Sequence, residues 1–244
     1  MLSGLARLGI EVESLADAGA FYEERLGLSP RRVTDRLRTY PVGDAELVCR
    51  APGGDPRGGL HVHYAFEGAA GSLDAWRDRF APLDPAEHDF GAFRSLYAFD
   101  PDRNCVEVAA TPGEAPAGID GVFEVVFEVR DLDRAERTYR ALGFEPIDRG
   151  EDRRRVRLSG PVDLELWEPQ RGLAGARGGV HVDLAFVTPD PASAAAAVDG
   201  LDRERVEGGV RVRDRDCHAL TFLAPDAADA RGDADDDGSD APNR

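Results

Sequence analysis

The feature that most constrains this chain is a ten-residue segment that occurs twice. Residues 59–68 read GLHVHYAFEG, and residues 179–188 read GVHVDLAFVT. A repeat over this distance indicates that one structural unit is present in two copies. The copies differ at one chemically important place, where the first has His63 and the second has Asp183. Because an imidazole and a carboxylate cannot do the same chemistry, the repeat predicts two similar folds with different sites.

The likeness extends over most of the chain. The segment LGIEVESLADAGAFYEERLGL returns as VVFEVRDLDRAERTYRALGF, and FDPDRNCVEV returns as RDRDCHALTF. Tyr22 and Tyr139 lie 117 residues apart, and Glu46 and Glu165, which we take as matched, lie 119 apart. Two related halves follow, joined at a segment rich in Pro and Gly, TPGEAPAGID. The predicted boundaries are residues 1–112 for the first domain, 113–118 for a linker, 119–224 for the second domain and 225–244 for an unstructured acidic tail.

Each half also repeats one order of elements. Leu8, Ile10 and Val12 alternate with polar or small residues, which is typical of a strand with one buried face. The segment LADAGAFYEERLGL then has apolar residues at helical spacing and ends near Gly27, a plausible stop. Further short strands follow, and the same order recurs in every quarter of the chain. The sequence therefore predicts an α+β protein of four βαβββ modules, numbered 1 to 4 in chain order.

The charge balance excludes two classes of partner. All 30 Lys+Arg residues are arginine, and 47 Asp+Glu residues give a formal net charge of −17. Such a chain repels nucleic acid and anionic membranes. Its composition resembles that of proteins from salt-loving microbes, in which a hydrated acidic surface keeps the chain in solution and salt screens its self-repulsion.

The N-terminal segment and the cysteines indicate the expected location and redox state of the chain. It has no apolar run of about 18 residues and no secretory pattern at its N-terminus, so a cytoplasmic location is expected. Cys49, Cys105 and Cys217 are an odd number without C-x-x-C spacing, which argues against a disulfide framework and a structural zinc site. We expect these cysteines to be small buried apolar residues.

The order of motifs resembles the vicinal oxygen chelate superfamily. The residues that carry the resemblance are SLADAGAFYEERLG after a strand, then HYAF, then DPDRNCVEV. This superfamily includes glyoxalase I, extradiol ring-cleaving dioxygenases, methylmalonyl-CoA epimerase, and fosfomycin and bleomycin resistance proteins. The resemblance covers residues 1 to about 224. It implies that two modules pair into a cup-shaped mixed sheet of eight strands with helices outside, so that four modules make two cups.

The resemblance also implies where a divalent metal ion would bind. In the superfamily, ligands come from the first and last strands of the modules and point into the cup. The positions carried over are Arg7 and Glu46 in module 1, His63 and Glu107 in module 2, Glu124 and Glu165 in module 3, and Asp183 and Thr221 in module 4. Strand alternation places these side chains opposite the apolar residues that pack on helices. A solvated carboxylate in a wide, wet cup is the alternative reading of each position.

Charge compatibility favours one pairing of the modules. If each half closed on itself, the permanent cation of Arg7 would share a cup with His63 and repel a metal ion. If module 2 pairs with module 3, one cup instead gathers His63, Glu107, Glu124 and Glu165. Module 1 then pairs with module 4, where Arg7 meets Asp183 as an ion pair. The crossed pairing is the prediction.

A site of one His and three Glu is similar to the glyoxalase I pattern. Its oxygen and nitrogen ligands suit Zn²⁺, Ni²⁺, Mn²⁺ or Fe²⁺. The resemblance implies isomerase or lyase chemistry on the thiol adduct of a 2-oxoaldehyde, with Glu124 or Glu107 as the base that moves a proton. We expect a small-molecule substrate. A monomer suffices for two cups, and a homodimer stays open.

Two other functions remain open from the sequence. An extradiol dioxygenase needs two His and one carboxylate for Fe(II), whereas each predicted cup has one matched histidine. A metal-free binding protein of the bleomycin resistance kind would use aromatic residues such as Trp167, Tyr97 and Phe93 to line its pocket.

The remaining histidines are given structural interpretations. His61 and His181 are expected to line the cups or the core, and His88 and His218 are expected to lie in solvated loops.

Overall fold

The structure, a computed structural model, describes residues 1–53, 59–60, 62–69, 73–111, 118–152, 154–169, 173–174 and 182–229. Within these ranges, each quarter of the chain forms one strand, one helix and three strands, as the sequence predicts. The strands of modules 1 and 2 are β1 (Gly4–Glu11), β2 (Arg32–Val33), β3 (Leu37–Val42), β4 (Ala45–Arg50), β6 (Val62–Ala69), β7 (Ala86–Asp89), β8 (Arg94–Phe99) and β9 (Cys105–Thr111). Those of modules 3 and 4 are β10 (Ile119–Glu128), β11 (Glu145–Arg149), β12 (Arg155–Ser159), β13 (Asp163–Trp167), β15 (Val182–Val187), β16 (Gly200–Val206), β17 (Gly209–Asp214) and β18 (Ala219–Leu223). Two short strands, β5 (Gly59–Leu60) and β14 (Leu173–Ala174), pair with each other.

Three of the five helices in the described residues begin at a side chain that caps a free N–H group. The five are α1 (Leu15–Ala20), continued by a π-helical turn at Phe21–Arg25, α2 (Leu73–Phe80), followed by a 3₁₀ turn at Ala81–Leu83, α3 (Leu132–Ala141), α4 (Pro191–Ala197) and α5 (Pro225–Asp229). Ser14, Asp131 and Asp190 precede α1, α3 and α4, and each accepts a hydrogen bond from the backbone three residues on. Such caps satisfy one of the donors that a helix leaves unpaired at its start.

The strands form two mixed sheets of eight, and each sheet contains one module from each half. Sheet I has the order β16-β17-β18-β15-β1-β4-β3-β2 and combines modules 4 and 1. Sheet II has the order β11-β12-β13-β10-β6-β9-β8-β7 and combines modules 3 and 2. The first strands of the modules meet antiparallel at the centre, β1 with β15 and β10 with β6. The crossed pairing predicted from charge is confirmed.

The helices and one face of each sheet share a continuous apolar core. Modules of the same half meet in this core through their side chains, since the Phe144 and Phe186 rings are 5.8 Å apart. In the first half, the hydroxyl groups of Tyr22 and Tyr64 are hydrogen bonded to each other. The two halves are therefore joined by strand pairing, and the two modules of each half by core packing. The face of each sheet away from this core, which we call the open face, is left for polar side chains.

The repeated acidic motifs near the end of each half are structural. Asp100 is buried and accepts hydrogen bonds from Tyr22 Oη at 2.9 Å and Tyr64 Oη at 3.2 Å. Asp214 accepts a hydrogen bond from the backbone N–H of His218 at 2.9 Å, and its other oxygen lies 3.0 Å from His218 Nδ1. Both carboxylates fix the turn before a last strand and do not face an open site.

Several expectations are corrected. His88 is exposed as expected but lies in strand β7 against the Tyr97 ring, whereas His218 lies in a loop as expected but is buried and stacked on Phe127 at 4.0 Å. The segment expected to be an unstructured tail begins with the short helix α5, in which Ala228 is buried.

Some of the predicted boundaries are not covered by the structure. Residues 112–117, most of the predicted linker, and 230–244 lie outside the described residues, so the domain boundaries stay predictions. In the part of the chain that is described, no helix is both long and apolar enough to cross a membrane.

Candidate active site on the open face of sheet II

The strand register of sheet II gathers the four predicted ligands around two small or apolar residues. Ala65 of β6 pairs with Glu107 of β9 on one side and with Glu124 of β10 on the other. Val126 of β10 pairs with His63 of β6 and with Glu165 of β13 in the same way. Neighbouring strands lie about 4.8 Å apart, so each ligand pair is separated by roughly 10 Å at the backbone, within reach of long side chains. All four side chains are buried.

His63 and Glu107 form one pair of this group. His63 Nε2 lies 2.9 Å from Glu107 Oε2, and Tyr97 on β8 also makes a side-chain hydrogen bond to Glu107. The His63 ring is flanked by two aromatic rings, Tyr97 at 5.5 Å and Trp167 at 6.3 Å. These rings fix the imidazole beside the carboxylate. Their hydroxyl and indole N–H groups supply polar contacts to the glutamates on either side.

Glu124 is the least satisfied member of the group. Its Oε1 atom is buried and accepts no hydrogen bond from the described residues, although Arg157 Nε lies 3.3 Å away. Burial raises the pKa of Glu124 to about 8, against a lowering effect of Arg157. The negative charges of Glu165 and Glu107 raise this pKa further. The carboxyl group of Glu124 thus keeps its proton at neutral pH. The neighbouring carboxylates, Glu165 and Glu107, would stabilise a positive charge placed beside it.

Glu165 is held by two donors. Arg155 Nη1 donates to Glu165 Oε1 at 2.6 Å, and Trp167 Nε1 donates to Oε2 at 2.7 Å. Arg155 and Arg157 both come from β12, where they alternate with the buried residues Val156 and Leu158. Two guanidinium groups therefore lie among the glutamates of the open face and offset part of their charge.

The donor types of this group fit a divalent cation, and the orphaned oxygen of Glu124 points to the same conclusion. Across the described residues, no three His, Cys, Asp or Glu side chains are arranged to hold a metal ion. Arg155 and Arg157 lie against two of the carboxylates, and His63 is paired with Glu107. Loading the site with a cation therefore requires both guanidinium groups to move away.

The equivalent places in sheet I carry an ion pair, as predicted. Arg7 Nη2 lies 3.1 Å from Asp183 Oδ2, and Thr221 Oγ1 donates to Asp183 Oδ1 at 2.7 Å. One match is corrected by the register. In sheet II, Glu165 pairs with the residue two positions after Glu124. In sheet I, the residue two positions after Arg7 pairs with Val48 and not with Glu46. Sheet I therefore lacks a carboxylate at the place of Glu165.

Sequence reasoning identified Arg7 but missed the other arginines of the two open faces. It compared only the first and last strands of each module, whereas Arg155, Arg157 and Arg211 are on the third of the four strands. The signal was present, because arginine alternates with valine or leucine in RRVRL and VRVRD. His61 and His181 lie outside the described residues, so their expected roles are not tested.

The paired modules, the central antiparallel strands and the open face with its four matched positions define the vicinal oxygen chelate fold. Solved structures of similar fold include a proposed dioxygenase from Bacillus subtilis strain 168, at a TM-score of 0.71 and 15% identity, over 91% of this chain and 85% of that one. Glyoxalase I from Zea mays is similar at a TM-score of 0.64 and 17% identity, over 91% and 92%. Its V278E variant matches at a TM-score of 0.68 and 17% identity, over 94% and 95%. No family model and no curated protein matches the sequence.

Proposed function

We propose that the open face of sheet II is the active site of a metal-dependent isomerase or lyase of the glyoxalase I type. Its substrate would be the thiol adduct of a 2-oxoaldehyde. The observation that carries the proposal is the register that places His63, Glu107, Glu124 and Glu165 around Ala65 and Val126. The likeness in fold to glyoxalase I of Zea mays supports the assignment of class.

The four side chains would hold a divalent cation, with His63 supplying nitrogen and the glutamates supplying oxygen. The bound cation would stabilise negative charge on the two neighbouring oxygens of the substrate. Arg155 and Arg157 would then be released from the carboxylates. Their side chains are each 22% exposed, so they have room to turn toward the negative charge of a substrate.

Glu124 is proposed as the base, because a bound divalent cation would favour its ionised form. It would take the proton from the carbon that bears sulfur and return it to the adjacent carbon, so that no net proton or electron is gained or lost. Glu124 suits this role better than Glu107, because Glu107 is held by His63 and Tyr97 whereas one oxygen of Glu124 has no hydrogen bond from the described residues. A carboxylate with a pKa near neutral is an effective proton acceptor and donor.

The test is consumption of methylglyoxal with a small thiol, such as glutathione, after loading with Zn²⁺, Ni²⁺, Mn²⁺ or Fe²⁺. We expect His63→Ala and Glu165→Gln to abolish the reaction and to lower the bound metal. The control is Glu46→Gln, the same substitution at a buried glutamate of sheet I, which should keep both activity and metal content.

Three outcomes would overturn the proposal. Iron with catechol-dependent oxygen uptake would identify a dioxygenase, although His63 is the one histidine that the described residues bring to the four matched positions of this face. Binding of aromatic ligands without metal would identify a sequestering protein. Equal loss of activity in Glu46→Gln and Glu165→Gln would place the chemistry elsewhere.

A further inference from the structure

The open face of sheet I lines a cavity of about 970 Å³. This volume lies at the upper end of the range for small-molecule sites. The cavity is rich in arginine, with six guanidinium groups against four carboxylates in its lining. The arginines are Arg7, Arg36, Arg50, Arg203, Arg211 and Arg213. The chain as a whole has 30 Arg and 47 Asp+Glu, so the lining reverses the overall balance.

Three of these arginines converge on one buried carboxylate. Asp183 is fully buried, and its Oδ2 atom lies 3.1 Å from Arg7 Nη2, 3.1 Å from Arg211 Nη2 and 3.8 Å from Arg50 Nη2. The other oxygen of Asp183 accepts the hydrogen bond from Thr221. One carboxylate offers about four acceptor sites, whereas each guanidinium carries five N–H donors. Arg211 Nη1 also donates to Glu204 Oε1 at 3.0 Å, and the charge of Glu11 acts on Arg50. The three guanidinium groups still carry more N–H donors than these carboxylates have acceptor sites.

The titration of the cluster agrees with this excess. Burial alone would raise the pKa of Asp183, but the three arginines and Thr221 hold it well below its ordinary value. Burial lowers the pKa of Arg50, and the like charges of Arg7 and Arg211 add to this, while Asp183 and Glu11 act in the opposite direction. An anion bound beside Arg50 would stabilise the charged form of its guanidinium group.

The rest of the lining combines the four carboxylates with aliphatic side chains. Its walls include Leu37, Val48, Val182, Leu201, Val206 and Leu223. Val48 is the residue that stands at the place of Glu165, so an acidic position of sheet II is an apolar wall in sheet I. Arginines and aliphatic side chains in one lining match a ligand with anionic oxygens at one end and an apolar body at the other.

We propose that the sheet I cavity binds a small organic anion, a carboxylate or a phosphate monoester, through Arg7, Arg50 and Arg211. The site is separate from the open face of sheet II and does not depend on the function proposed there. A metal ion is disfavoured in this cavity because the arginines occupy its base.

The test is calorimetric titration of the full chain with benzoate, phenyl phosphate, inorganic phosphate and benzyl alcohol at constant ionic strength. We expect saturable binding of benzoate or phenyl phosphate, much weaker binding of inorganic phosphate and none of benzyl alcohol. Comparison of benzoate with phenyl phosphate decides between the two kinds of anion. Arg50→Gln, which removes the most exposed of the three guanidinium groups, should weaken binding about tenfold.

Two further variants keep the test decisive. Arg157→Gln changes an arginine of sheet II and should leave anion binding unchanged. Asp183→Asn removes the competing carboxylate, so phenyl phosphate should bind more tightly and raise the melting temperature more than in the wild-type chain. Absence of saturable binding, equal binding of benzyl alcohol, or loss of binding in Arg157→Gln but not in Arg50→Gln would overturn the proposal.

Discussion

Replacement of Glu124 by glutamine should remove a specific pH dependence from the stability of the metal-free protein. Glu124 is buried, and its pKa is raised from an ordinary value of 4.5 to about 8. Between these two values the folded chain holds a proton that the unfolded chain has released. The free energy of unfolding must then fall as the pH rises, by about 1.4 kcal/mol per pH unit at most.

The size of the effect follows from the two pKa values. Integrated from about pH 5 to about pH 8, this one group lowers the free energy of unfolding by about 3.5 kcal/mol. The amide side chain of the Glu124→Gln variant does not titrate, so the difference between variant and wild type should change by a similar amount over that interval. The measurement is urea unfolding at constant ionic strength with a chelator present, because a bound divalent cation would favour the ionised carboxylate.

A second glutamate provides the control. Glu136 is buried, and its pKa is lowered by hydrogen bonds from Arg149, at 2.6 and 3.0 Å. A lowered pKa stabilises the fold above the ordinary value, and that stability is lost only as the pH falls below it. The free energies of unfolding of Glu136→Gln and of the wild type should therefore differ by a constant amount from about pH 5 to about pH 8. If the free energy of unfolding of Glu124→Gln also differs from that of the wild type by a constant amount, Glu124 is ionised in the folded chain. Burial then does not raise the pKa of Glu124.

Three further outcomes are expected. Gly43 has φ +58°, and a Cβ atom there would lie 2.3 Å from the carbonyl oxygen of Asp120, so Gly43→Ala should lower the free energy of unfolding by about 2 kcal/mol or more in urea titrations; an unchanged midpoint would contradict this. Arg157→Gln removes the guanidinium beside Glu124 and should tighten Zn²⁺ or Mn²⁺ binding about tenfold by calorimetry, while weaker binding would show that Arg157 does not compete with the cation. With 47 acidic residues against 30 arginines, the melting temperature should fall as salt is removed, and a salt-independent value would show that self-repulsion is unimportant.

The sequence was sufficient for the module count and for the crossed pairing. Strand alternation and the repeat fix the order of elements, and the charge of Arg7 excludes it from a cup with a metal ion. The contact between Arg7 and Asp183 confirms that reasoning. The match of Glu46 to Glu165 failed because both segments read as a glutamate between apolar residues. Only the pairing of β4 with β1 shows that they differ in register by two residues.

Contacts between modules could not be predicted from local pattern. His218 looks like a turn residue in RDRDCHALTF, but its ring stacks on Phe127, which belongs to another module. The position of Arg157 beside Glu124 likewise depends on three strands meeting in one sheet. Such side chains are set by packing across long sequence distances, which period-two alternation does not encode.

The two sheets differ at all four matched places, and the differences depend on one another. In sheet II these places hold His63, Glu107, Glu124 and Glu165, and in sheet I they hold Asp183, Thr221, Arg7 and Val48. An arginine in the place of Glu124 needs a buried anion, which Asp183 supplies in the place of the histidine. The two remaining places hold a hydroxyl and a valine, so neither adds negative charge beside Asp183. The four places of sheet I therefore carry less negative charge than those of sheet II, which is why we propose an anion for one face and a cation for the other.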